Sequence, residues 1–183
     1  PLLELKLKRA LRVLHFAPEK CIYDKISKNP NLAYTLCDLE PKNYPYIKNI
    51  DKQDGCNLTY ENDSFDIIIH NHILEHVPNP IKLLQENLRV LKQDGIIIAS
   101  IPYYPNDLCD DSKTTDEDRI KYYGQADHLR KFGKDFLDIY SKSFNIKMID
   151  SATYGGGELT NDELEAIEAK CQSCDDFYFI ITK

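Results

Sequence analysis

Short, nearly continuous apolar runs alternate along the chain with segments whose apolar residues recur every three or four positions, and this order predicts an α/β architecture. Residues 12–16 read as a first strand, and residues 19–28 as a helix with Pro18 suited to its first turn. Residues 33–38 form a second strand ending in Asp38, and residues 47–52 a short third one. In "SFDIIIHNH" the fourth strand, residues 65–71, has the unbroken apolar run of a strand buried on both faces. In "NPIKLLQENLRVLKQDG", Ile81, Leu84, Leu88 and Leu91 lie at helical spacing, and Asp94-Gly95 turns the chain into "IIIASIP", a fifth strand. Residues 102–133 are long, polar and irregular, with an acidic patch "DDSKTTDED"; a loop of that length in a compact domain is functional or disordered. A helix over 133–144, a sixth strand over 146–149, a helix over 159–169 and a seventh strand in "DFYFIITK" complete the pattern.

The length, 183 residues, suits one domain with one sizeable core. Apolar runs such as 96–99 are far too short to span a bilayer, and residues 1–12 are charged rather than signal-like, so no membrane insertion is expected. A start at Pro1 without Met predicts a piece of a longer protein. The net charge of −7, from 30 acidic and 23 basic residues, speaks against nucleic-acid partners, which need clustered cations. The basic group Lys6, Lys8, Arg9 and Arg12 reads as a solvated helix face. The six cysteines read as small core residues with reduced thiols, consistent with the cytoplasm. Cys171 and Cys174 have the spacing of half a zinc site but no second pair, so no metal is expected.

In an open parallel sheet, ligands bind beyond the carboxyl ends of the strands. Four features fall at such ends: the loop His15, Phe16, Ala17, Pro18, Glu19; Asp38; the stretch holding Asp54; and Asn71-His72. A carboxylate at Asp38 is placed to accept both hydroxyl hydrogens of a ribose, or to serve as a solvated strand end or cap.

Together "RVLHFAPE", "LCDLEP", "NDSFDIIIHNHILEHV" and "ENLRVLKQDGIIIASIP" resemble a class I S-adenosylmethionine-dependent methyltransferase over about residues 11–150. The resemblance implies a Rossmann-like, doubly wound seven-stranded sheet in the order 3-2-1-4-5-7-6, mostly parallel with an antiparallel last strand. It implies one methyltransferase domain over residues 1–183 lacking an N-terminal segment, with residues 102–133 as a substrate-side insertion or lid. Where the family usually has V-L-D-x-G-x-G, this chain has His15 at the acid, and Ala17, Pro18 and Glu19 in place of G-x-G. It is similar in this to an "LHFAPE" subgroup associated with polysaccharide and small-molecule methylation, whose members often carry a zinc-ribbon-like segment upstream. Glu19 is then the candidate charge facing the cofactor's ammonium or sulfonium. By the same resemblance, Asp38 with Leu39 holds the ribose, Asp54 with Gly55 sits by the adenine (Asp51 being the substitute), and Asn71 and His72 line the methionine end. Asp66 reads as structural.

On the acceptor side, "GQADHLRKFG" gathers Gln125, Asp127, His128 and Arg130. An O-methyltransferase benefits from a general base. His128 has the pKa class for it, Asp127 could orient it, and Arg130 could pair with an anionic part of the acceptor. The competing reading is that His128 and Arg130 anchor the loop. His72 and His76 are alternative bases, and His70 reads as packing. The leading expectation is therefore an enzyme that O-methylates a sugar, glycan precursor or other small molecule using S-adenosylmethionine. A non-catalytic cofactor-binding or interaction module is the alternative. A nicotinamide oxidoreductase is disfavoured by the "SFD…EHV" block.

Overall fold

The computed structural model describes residues 10–149 and 176–183. The expected helix over 159–169 and the pair Cys171 and Cys174 lie outside the described residues. The chain divides into two compact units: one holds the chain up to Asn71, Ile81–Ile98 and Thr182–Lys183, the other His72–Pro80 and Ala99–Ile181.

The first unit is built on β1 (Leu11–Phe16), whose residues Val13 to Phe16 are buried. It pairs in parallel with β2 (Leu32–Asp38) on one side and β4 (Phe65–Asn71) on the other, and β2 pairs in parallel with β3 (Asp51–Lys52). Helices α1 (Lys20–Ile26) and α2 (Pro80–Val90) follow β1 and β4. Asp66 takes the structural role read from the sequence. Its Oδ2 accepts from the Arg12 backbone N–H at 2.9 Å and from Lys92 Nζ at 2.9 Å. On α2, Arg89 donates to the carbonyls of Leu58 and Tyr60 and to Glu86, pinning the loop ahead of β4.

The long strand β5 (Leu91–Tyr104) runs from the first unit into the second. There it is joined by the short β6 (Phe132–Gly133), parallel to it, and the sheet continues to β8 (Asp176–Thr182) and β7 (Asn145–Ile149). With the two-residue β6 set aside, the strand order β3-β2-β1-β4-β5-β8-β7 is the expected one, mostly parallel with an antiparallel end. Helices α3 (Asp116–Tyr123) and α4 (Phe136–Tyr140) complete the second unit's described elements. Its core is aromatic: Phe136 stacks on Tyr140 at 4.6 Å and lies 5.2 Å from Phe179, with Phe132 edge-on to both residues of that stack.

Several boundaries differ from the pattern reading, each for a local reason. The third strand shrinks to two residues because Pro41–Asn43 forms a 3-10 turn and the Ile47 N–H bonds back to Tyr44. Helix α1 ends at Ile26, ahead of Asn29-Pro30, where the residue before proline resists the helical region. The fifth strand begins at Leu91, three residues before the expected Asp94-Gly95 turn. The turn is nonetheless present in the geometry. A Cβ added to Gly95 would lie 2.7 Å from Leu91 Cδ1, which four residues of fully extended chain would forbid. Residues 102–133, read as irregular, contain α3. Thr115 caps it by accepting from the Asp118 N–H at 3.2 Å, three acids occupy its first turn, and Gly124 closes it at φ +90°.

Candidate functional site

In the first unit the parallel registers bring four carboxyl ends to one sheet edge. Phe16 is level with Cys37, and Asp38 with Lys52; His15 is level with Ile69, two residues before Asn71. The loop after β1 turns at Ala17, whose φ of +44° is in the region that favours glycine. Its N–H bonds to the Cys37 carbonyl at 2.9 Å, and Tyr46 Oη donates to the Pro18 carbonyl at 3.0 Å.

His15 is fully buried and uses both ring nitrogens, Nε2 towards Glu19 Oε2 at 2.8 Å and Nδ1 towards Tyr34 Oη. Burial pushes the Glu19 carboxyl up. The hydrogen bond and charge of His15, with a hydrogen bond from Asn71, outweigh that burial and hold Glu19 below the usual carboxylate range. Glu19 thus remains an anion at the sheet edge. His15, expected beside the cofactor, is thus fully buried with Glu19 and Tyr34 on its two ring nitrogens.

Asp38 Oδ1 accepts from the Glu40 N–H at 2.7 Å and Oδ2 from Tyr44 Oη at 2.9 Å, while Leu39 beside it is exposed. Asp54 Oδ1 accepts from the Cys56 N–H at 2.8 Å. Gly55 packs closely there: a Cβ would come 2.9 Å from Leu83 Cδ1, so that side chain would have to shift. Asp51, the substitute for Asp54, accepts from Tyr60 Oη at 2.7 Å. His70 is fully buried with neither ring nitrogen hydrogen-bonded, and burial lowers its pKa to about 4.

In the second unit His72 has φ +53°, and its N–H bonds to the Ser100 carbonyl at 3.0 Å. Its Nδ1 lies 3.2 Å from Oε1 of Glu75. Glu75 is fully buried, and its Oε2 has no hydrogen-bond partner. Asp127 approaches His76, Oδ2 to Nδ1 at 3.3 Å, rather than its neighbour His128. His128 is buried, with its ring edge-on to that of His76 at 4.8 Å. Its Nδ1 lies 2.7 Å from the Tyr123 carbonyl oxygen. A carbonyl only accepts, so Nδ1 carries the proton and the lone pair is on Nε2. Arg130 Nη1 donates to the carbonyls of Leu74, at 2.8 Å, and Val77, and Nη2 to that of Pro78 at 3.2 Å. The guanidinium therefore holds the 74–78 turn.

Thus Phe16, Ala17, Pro18, Glu19, Asp38, Leu39, Asp54, Gly55 and Asn71 all belong to the first unit, and His72, Asp127, His128 and Arg130 to the second. Sequence reasoning missed Tyr34 and Tyr44, which hold His15 and Asp38, and it missed Glu75. The tyrosines lie within ten residues of Asp38 in an aromatic-rich stretch, which was the available signal.

Residues 25–99 match the family model described as a methyltransferase domain. An uncharacterized methyltransferase of Mycobacterium tuberculosis is 39% identical over 49 residues, which is 27% of this chain and 19% of that relative's length. Among solved structures, a SAM dependent methyltransferase from Archaeoglobus fulgidus superposes with TM-score 0.61 at 16% identity, covering 100% of this chain and 90% of that one. The YcgJ protein from Bacillus subtilis gives 0.58 at 18% identity, covering 99% and 97%. The fold is that of class I methyltransferases, and the matched segment runs from α1 through most of β5.

Proposed function

We propose that the chain is a methyltransferase that uses S-adenosylmethionine and acts on a small molecule, a hydroxyl of a sugar or glycan precursor being the acceptor. The observation that carries the reading is the β1 loop. Ala17 adopts a backbone conformation normally left to glycine, directly beside a carboxylate, Glu19, kept ionised by His15 and Asn71. That gives close backbone approach and a fixed negative charge at the strand ends, which suits the ammonium and sulfonium of the cofactor. Asp38 supports the same placement. A carboxylate offers about four lone-pair positions, and the Glu40 N–H and Tyr44 hydroxyl use two, so capacity remains for ribose hydroxyls. The methyltransferase family-model match and the methyltransferases among the similar proteins favour this chemistry over nicotinamide binding. The acidic net charge of −7 favours a small acceptor over a nucleic acid. Residues 102–133, which carry α3, are the proposed acceptor-side segment.

Titration calorimetry tests the reading. S-adenosylhomocysteine is expected to bind with micromolar or better affinity and NAD not at all. Asp38→Ala is expected to weaken binding at least about tenfold, the equivalent of about 1.4 kcal/mol. NAD binding, or no response to S-adenosylhomocysteine, would overturn it.

A further inference from the structure

The second unit holds a group of three potential metal ligands. One ligand atom each of Glu75, His76 and His128 lies within 4.8 Å of the others. Glu75 and His128 are buried, and the His76 side chain is one-third exposed. Three features distinguish this group from a chance cluster. First, Glu75 Oε2 is buried without a partner. Its Oε1 has His72 Nδ1 at 3.2 Å, but Oε2 has no donor, and a cation there would satisfy it. Second, His128 donates Nδ1–H to the Tyr123 carbonyl, which fixes the tautomer and leaves Nε2 as a ligand atom. Third, the His76 Nδ1 faces the Asp127 carboxylate, the same second-layer arrangement that orients metal-binding imidazoles.

We propose that Glu75, His76 and His128 bind a divalent transition metal, Zn²⁺ being the best match. Two imidazoles and one carboxylate are a borderline-soft donor set that suits zinc better than magnesium or calcium. Tetrahedral ligands about 2.1 Å from zinc stand about 3.4 Å apart. The widest pair, at up to 4.8 Å, would have to close by about 1.4 Å on binding. Three protein ligands leave a fourth position for water or a ligand atom, and His76 supplies the exposed side. The expectation of a metal-free chain was argued from cysteines, none of which belongs to this group. The inference does not rest on the methyl-transfer reading, and its readout is independent of cofactor binding.

The full chain, stripped with a chelator, is titrated with Zn²⁺ against a chromophoric competitor, and Co²⁺ is used for its visible spectrum. One zinc per chain is expected, with cobalt bands of a nitrogen–oxygen site and no thiolate charge-transfer band. Glu75→Gln and His128→Ala are each expected to lower zinc affinity at least about a hundredfold. Asp127→Asn is expected to lower it about tenfold, within the usual range for an outer partner. Asp127 is largely exposed, so this last variant leaves the fold intact even if the buried substitutions do not. Absence of stoichiometric zinc would overturn the proposal. So would affinity unchanged in Asp127→Asn and Glu75→Gln, or a thiolate band lost in Cys171→Ser/Cys174→Ser.

Discussion

Ala17 carries a methyl group where the backbone has φ +44°, and that conformation costs an L-residue about 1–2 kcal/mol. Ala17→Gly removes the cost but returns entropy to the unfolded chain, so a net gain of about 0.5–1 kcal/mol is expected in urea unfolding. A loss of stability would show that the methyl group packs usefully. The place of this loop at a strand end was legible from its strand-then-turn pattern, and so was that of Asp38 at the next strand end. The job of His15 was not legible, because its reach to Glu19 and Tyr34 depends on burial between neighbouring strands. Glu75 was hidden for the same reason. In the sequence it belongs to a polar "LEHV" step, and only the fold shows an unpartnered carboxylate oxygen there.

Among elements, the central strands were the most legible. The Ile67–Ile69 core of the run over 65–71 is apolar on successive residues because both faces of β4 are covered, and the strand's limits come out as read. Helix α3 is hidden in the apolar pattern, because "TTDED" reads as an acidic patch. Its Thr115 cap and acidic first turn are helix-start signals that outweigh its weak apolar periodicity. Two substitutions probe how the second unit is held. Gly133 lies in β6 where an added Cβ would run into the backbone of Asp107 and Leu108, which cannot yield as a side chain would. Gly133→Ala should destabilise by about 1–3 kcal/mol. Arg130→Ala removes the donors to the 74, 77 and 78 carbonyls and should cost about 2–3 kcal/mol. Equilibrium unfolding followed by circular dichroism checks both, and an unchanged midpoint for either would mean that the contact is not made in solution.

For the molecule as a whole, acid should be destabilising. His70 is buried, and its pKa falls from 6.5 to about 4, chiefly through burial and then through the nearby His15. The unfolded chain therefore takes up a proton that the folded chain refuses. The stability from neutral His70 is complete above about pH 6.5 and is lost as pH falls towards 4, by up to about 3 kcal/mol. Glu19, lowered from its ordinary 4.5, adds a loss in the same direction below that value. Unfolding free energies between pH 7 and 4.5 should slope downward in the parent and clearly less in His70→Leu; identical slopes would remove His70 from the account.

The two compact units interleave along the sequence, with the chain changing membership after Asn71, Pro80, Ile98 and Ile181. Neither unit corresponds to a contiguous stretch of gene. A stop codon, a deletion boundary or a single protease cut anywhere between residues 72 and 181 takes part of both, so neither half can be expressed, inherited or exchanged as a module. Shortening the chain by its last two residues already removes Thr182 and Lys183 from the first unit, and with them the Lys183 ammonium that donates to the Leu91 carbonyl at 2.9 Å.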